Sequence, residues 1–267
     1  MPSRERSFRA EAVVLRHSDW GEADRLLVLF TAAMGKVRAV AKGVRKLRSR
    51  KAGHLEPFTR VNLLLARGRD LLIVTQAETL DAYMPLREGL LLPTYGAYIL
   101  EVVDRFTFEE EENRGLYRLL VDTLARLSSS PHPELVVRYF EIRLLDLIGF
   151  RPQLFQCTNC GEQIKAEDQY FSAEQGGVLC PRCGEPRANL ANQTQITVRS
   201  VSMNALKYLR HLQRSRYEEV ANISLSPTLN REMENLMQYY LTHLLERKLN
   251  TPPFLRHVRG QVAGDGQ

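Results

Sequence analysis

The chain has 267 residues, of which 44% are hydrophobic and 25% charged. Those globular values exclude global disorder, and the length predicts two domains with room for a small insert. No apolar run approaches the ~18 residues of a membrane span. The opening Met-Pro-Ser-Arg-Glu-Arg-Ser-Phe lacks the apolar stretch of a secretory signal. No membrane partner and a cytoplasmic location are therefore expected. The net charge of +6 is uneven: residues 1–80 hold 16 Lys and Arg against 8 Asp and Glu, whereas the remainder holds 21 against 23. A basic N-terminal domain joined to a near-neutral region is expected.

In chain order, five short apolar stretches come first: Phe8–Arg16, Arg25–Thr31, Lys36–Lys42, Phe58–Ala66 and Asp70–Ala77. Turn residues, among them Gly35 and Gly68, punctuate them, and five strands at this spacing fit a small closed or partly closed barrel. The period becomes helical from about Leu86. Pro93 opens or interrupts one helix. Glu109–Glu112 is an acidic run to which the sequence attaches no function, and Asn113 can cap a helix carrying Leu116, Leu119, Leu120, Leu124 and Leu127 on one face. Glu134–Ile148 is apolar nearly all round, as a buried helix is, and Gly149 fits its stop. A turn-rich cysteine segment follows. Ser202 can cap Met203–Leu212, and Ser226-Pro227 opens a last amphipathic helix. The tail from Thr251 carries two Pro and three Gly and reads as loose. The expected class is α+β, with boundaries at 1–80 (barrel), 81–153 (first helical part), 154–192 (cysteine element), 193–250 (second helical part) and 251–267 (flexible tail). The cysteine element thus reads as an insert in a single helical domain.

The sharpest local signal is Cys157-Thr-Asn-Cys160-Gly161 and Cys180-Pro-Arg-Cys183-Gly184. CxxC spacing lets two thiolates of one turn reach one ion, and two such knuckles place four sulfurs around a tetrahedral Zn²⁺. With all ligands from protein, no coordination position stays open, so one structural Zn²⁺ is expected. A thioredoxin-like pair is disfavoured by the matching second pair. Disulfides lack a secretory route, and a deaminase lacks its His-x-Glu.

The second signal is Lys36–Lys51, with Lys36, Arg38, Lys42, Arg45, Lys46, Arg48, Arg50 and Lys51 and no acidic residue. On a strand, Lys36, Arg38 and Lys42 face one side while Val37, Ala39 and Ala41 fill a core. Past Gly43 the charges read as a flexible or partly helical loop. Arg60, Arg67 and Arg69 can extend the surface. Eight cations without interspersed carboxylates fit a phosphate backbone. Leu47 is the one large apolar residue of Arg45–Lys51, too little for an amphipathic membrane helix. Trp20, in Ser18-Asp19-Trp20-Gly21, is the candidate for base stacking, with packing over a barrel end as its alternative. No nucleophile elbow, phosphate loop, dinucleotide fingerprint or zincin motif occurs, so the chain is expected not to be an enzyme. Residues alone favour nucleic acid as the ligand of this surface, on a zinc-containing scaffold whose work includes RNA binding or transcriptional control, with a protein adaptor whose basic loop binds an acidic partner as the weaker alternative.

Glu22–Thr31, Gly35–Gly43, Ser49 and Leu55-Glu-Pro-Phe58 resemble the N-terminal domain of the RecO family of bacterial recombination mediators. Phe140–Leu145, Gly149-Phe-Arg-Pro152 and Cys157-x-x-Cys160 resemble its central helix and zinc segment. The resemblance runs from about Phe8 to Leu249. It implies an OB-fold, then helices interrupted by a zinc element. It further implies binding of single- and double-stranded DNA, annealing of complementary strands, and assistance to RecA on strands coated by single-strand-binding protein. The partners it implies are RecR, possibly RecF, the C-terminal tail of single-strand-binding protein and, indirectly, RecA at the nucleoid. Lys36 and Lys42 lie within the matched pattern; the other cations are assigned by charge and position.

Overall fold

The computed structural model describes residues 7–190 and 198–264. The expected junction at 192/193 lies outside the described residues. The chain divides into two compact units: residues 1–129 with 250–267, and residues 130–249.

The first unit is built on a closed barrel of β1 (Ser7–Trp20), β2 (Asp24–Thr31), β3 (Gly35–Ala41), β4 (Arg60–Arg67) and β5 (Leu72–Asp81), in the order β1-β2-β3-β5-β4. This is the expected OB arrangement. Closure falls on a short parallel pairing, Ala39 with Leu72 and Val40 with Ile73. Alternation places Ala10, Ala12, Val14, Val37, Ala39, Ala41, Val61, Leu63 and Leu65 inside. Register shifts in β1 after Val14 and in β4–β5 at Leu64/Leu65 bend the strands for closure. β4 begins two residues later than expected. Phe58 sits at φ 71 and packs against Gly96, where an added Cβ would lie 2.9 Å from its ring.

β2 also buries its outer face, with Val28 and Phe30 covered. α1 (Leu91–Phe106) and α2 (Arg114–Ser129) follow the barrel, and α2 supplies cover here, with the Tyr117 ring 6.3 Å from that of Phe30. The N–H of Leu116 donates to Asn113 Oδ1 at 2.8 Å, the expected cap.

The tail expectation is corrected. Thr251–Gly264 is a helix, α8, with Leu255 and Val258 buried. Glu101 of α1 caps it, accepting from the N–H groups of Asn250 and Thr251, each at 2.8 Å. A carboxylate at a helix N-terminus meets the positive end of its dipole. The helix was missed because its prolines fall in its first turn, where they are tolerated.

The second unit contains α3 (Pro133–Leu147), a sheet of β6 (Gln169–Ser172), β7 (Gly177–Leu179) and β8 (Val198–Val201), and α4 (Pro181–Leu190), α5 (Met203–Arg214), α6 (Tyr217–Val220) and α7 (Pro227–Leu245). α3 is buried nearly all round, as its composition requires, and even encloses the ion pair of Arg138 and Glu141 at 2.8 Å. Ser202 and Ser226 cap α5 and α7 as expected. Helices expected to form a single domain therefore divide, with α1, α2 and α8 joining the barrel unit. The continuous apolar run of β2 needed that cover.

Candidate metal centre and nucleic-acid interface

The four cysteine Sγ atoms lie within 4.8 Å of one another. Cys160 Sγ and Cys180 Sγ are 3.8 Å apart, and all four cysteines are free of disulfides. A tetrahedron with ~2.3 Å metal–sulfur bonds has an edge of about 3.8 Å, so the donor set fits a closed tetrahedral ion.

Each knuckle is held by backbone. In the first, the N–H of Gly161 donates to Cys157 O at 2.9 Å with Gly161 at φ 76, a left-handed turn that favours glycine. Thr158 N–H donates to Val178 O at 2.9 Å and ties that knuckle to β7. In the second, Cys183 lies in the first turn of α4. Gly184 is needed for packing rather than for its turn, since a Cβ there would meet the Tyr170 ring at 2.5 Å. Burial raises the Cys157 thiol, but backbone N–H groups of Cys160, Cys180 and Asn159 outweigh it and bring the pKa to about 6. Asn159 donates to Cys183 Sγ, yet burial and the neighbouring sulfurs push that thiol up to about 12. Four sulfurs at these distances resist collective ionisation, and a bound cation reverses that balance.

The basic segment folds back on the barrel. It is a series of turns ending in a 3₁₀ turn at Ala52–His54, and Val44 and Leu55 anchor it in the barrel core. Asp24 Oδ1 accepts the N–H of Gly43 at 2.7 Å, and Ala23 O accepts that of Arg45 at 3.0 Å.

The cations assigned by charge fall into two groups. Lys42, Lys46, Arg48, Arg50 and Arg69 are exposed, and none has a carboxylate within ion-pair distance among the described residues. Others are engaged. Lys36 Nζ donates to Asp104 O at 2.6 Å and Oδ1 at 3.2 Å, so this half-buried ammonium anchors α1. At this point of β3 the cation expected to face outward is engaged by α1. Arg45 pairs with Asp19 at 3.2 Å, and Arg60 pairs with Glu11 at 2.6 Å. Lys51 Nζ donates to Val74 O at 3.0 Å, and burial lowers its pKa, partly offset by the charge of Asp24. Arg67 stacks over Phe8 at 5.6 Å. Arg38, Arg67 and Arg69 line one cleft of about 320 Å³. Arg38 there pairs with Glu109 at 2.8 Å. Trp20 lies at the end of β1, opposite Asp24, and is 51% exposed.

Two features had no signal in the sequence. Asp104 joins Lys36 and Arg16 across 68 and 88 residues of chain. In the second unit, Arg210 and Arg214 both lie over the Phe155 ring, 5.1 and 3.7 Å from its centroid.

Barrel and cysteine cluster together define an OB-barrel protein with a four-cysteine knuckle element whose sulfurs are placed to hold a metal ion, and with a cationic surface. The family described as Recombination protein O N terminal matches residues 6–83, and that described as Recombination protein O C terminal matches residues 87–253. The chain is 42% identical over 257 residues to the DNA repair protein RecO of Roseiflexus sp. (strain RS-1), covering 96% of this chain and 87% of that one. It is 34% identical over 259 residues to the DNA repair protein RecO of Pelotomaculum thermopropionicum, covering 97% of each. For the DNA repair protein RecO of Dehalococcoides mccartyi (strain ATCC BAA-2266 / KCTC 15142 / 195) it is 33% over 241 residues, 90% and 92%. The chain belongs to the RecO family of DNA repair and recombination proteins. Among the described residues no helix is long and apolar enough to cross a membrane.

Proposed function

We propose that this chain is a non-enzymatic recombination mediator that binds single- and double-stranded DNA and anneals complementary strands. The observation that carries this reading is the exposed group Lys42, Lys46, Arg48 and Arg50 on a pinned segment of an OB barrel, with no carboxylate partner among the described residues. Such cations neutralise phosphates and release counterions. Bringing two strands to one cationic surface lowers their repulsion and raises their local concentration. Complementary bases then pair with no covalent step and no nucleotide hydrolysis. Trp20 offers a face for an unpaired base.

One Zn²⁺ held by Cys157, Cys160, Cys180 and Cys183 has a structural role in this reading: four thiolates leave no position for a substrate. Family membership supports the partners RecR and RecF, the C-terminal tail of single-strand-binding protein, and assistance to RecA on coated strands in the cytoplasm.

The test is annealing of two complementary oligonucleotides without nucleotide, between about 50 and 200 mM salt, where multi-phosphate binding weakens steeply. Annealing that fades with salt and is lost in a Lys42→Glu, Lys46→Glu, Arg48→Glu variant supports the reading. Binding without annealing reduces the chain to a nucleic-acid scaffold, and a preference for RNA over DNA turns it toward RNA work.

A further inference from the structure

The acidic run Glu109–Glu112 finds its place in the barrel. β3 bonds β2 along its whole length, but its other edge pairs with β5 only at Ala39 and Val40. Gly35–Arg38 therefore presents an open edge, and the acidic segment lies along it. The N–H of Glu110 donates to Lys36 O at 2.9 Å, and Lys36 and Glu109 form a parallel bridge. The segment passes directly over Gly35, where an added Cβ would lie 1.8 Å from Glu111 O. Glu110 takes a left-handed backbone, φ 61, without being glycine.

This places carboxylates where phosphates would go. Glu109 and Glu110 line the same cleft as Arg38, Arg67 and Arg69. Arg38 Nε meets Glu109 Oε1 at 2.8 Å, and the two side chains are 49% and 48% exposed. A pair so exposed is weak and salt-screened, so it is exchangeable for a phosphate. All four glutamates are exposed. Two consecutive carboxylates, Glu109 and Glu110, thus stand in a cationic cleft, while Glu112 is held by Arg114 at 2.6 Å.

We propose that Glu109 and Glu110 are an internal competitor for the barrel groove, and that a single nucleic-acid strand enters by displacing their carboxylates from Arg38 and from the cleft of Arg67 and Arg69. The proposal rests on the DNA-binding reading above and adds to it a gate that lowers affinity for weakly held strands.

The experiment is anisotropy titration of a labelled oligothymidylate with the full chain across about 50–200 mM salt. Glu109→Gln keeps the backbone hydrogen bond of Glu110 and removes one carboxylate. Affinity is expected to rise about two- to fivefold at the low-salt end, the range set by an exposed ion pair. The slope of log affinity against log salt is expected to steepen by about 0.7, one added phosphate contact on a single strand. Glu109→Gln with Glu110→Gln gives a larger rise. Glu174→Gln, the same loss of charge in the other unit, gives none. Hydrogen exchange at the Glu110 amide is expected to accelerate when the strand binds. Unchanged affinity and slope in Glu109→Gln, with wild type binding normally, overturn the gate and leave the DNA-binding reading standing. An equal rise in Glu174→Gln makes the effect one of net charge and also overturns it. If neither wild type nor variant binds, the groove takes no strand and both readings fall.

Discussion

The cysteine element and the basic stretch looked like equally local signals, but the structure treats them differently. The two CxxC turns close on themselves. Within each turn, backbone bonds to the first cysteine span three or four residues, and the second knuckle meets the first as the spacing requires, with Sγ atoms inside 4.8 Å. The basic stretch is local only in sequence. Of its cations, Lys36 serves Asp104, Arg45 serves Asp19, Lys51 serves a backbone carbonyl and Arg38 faces Glu109. A ligand set whose geometry is set by short-range backbone can be read from spacing. A charge set depends on what the fold brings against it, and density alone overstates how much of it is free.

The comparison breaks most visibly at the metal. Replacing Cys157 and Cys183 by Ser is expected to abolish metal binding and to lower the stability of the second unit by several kcal/mol, since metal binding to such sites is folding free energy. Metal analysis and thermal melts read this, while oligonucleotide affinity at the barrel stays within about twofold of wild type on the closed-site argument. Full stability with no metal bound would remove the structural role.

Next in size is charge reversal at Lys42, Lys46 and Arg48. Three lost phosphate contacts are expected to flatten the single-strand salt slope by about 2 and to weaken binding across all sequences. Arg45→Glu, by contrast, removes a cation already paired, and a smaller loss is expected. Equal losses from Arg45 and Lys46 would show that the pairing with Asp19 does not matter to binding.

Lys36→Met sharpens the comparison from the other side. It is expected to cost about 1–3 kcal/mol of stability, because Asp104 then keeps a half-buried charge with one partner fewer, and to change DNA affinity less than twofold. Burial opposes ionisation of Asp104, but the hydrogen bond from Arg16 and the charge of Lys36 outweigh it and hold its carboxyl below the usual range. A carboxyl depressed in the folded state stabilises the fold above its unfolded pKa of about 4, and that contribution is lost as the pH falls through the folded value. The stability gap between wild type and Lys36→Met therefore closes on acidification below about pH 4. A gap that persists in acid would assign the loss to packing.

A last prediction concerns Trp20, the single tryptophan of the chain. Its exposure makes intrinsic fluorescence a direct reporter, and a bound oligonucleotide is expected to quench it. Trp20→Ala is expected to weaken binding by about 1–3 kcal/mol if a base stacks there. Unchanged fluorescence at saturation would remove Trp20 from the surface.

The sequence by itself determined the five strands, the caps at Asn113, Ser202 and Ser226, the buried helix α3 and the four-cysteine cluster. Each rests on interactions between residues close in the chain: alternation, a cap three residues from its N–H, a knuckle turn. Only the tertiary structure decided which helices accompany the barrel, that the tail forms α8 against α1 with Glu101 as its cap, and which cations are free. Those outcomes depend on contacts such as Lys36 with Asp104 and Glu101 with Thr251, 68 and 150 residues apart. Periodicity reports that a face is apolar or charged. It carries no information about which distant face will cover it, and at the groove of β3 that cover is the acidic run Glu109–Glu112.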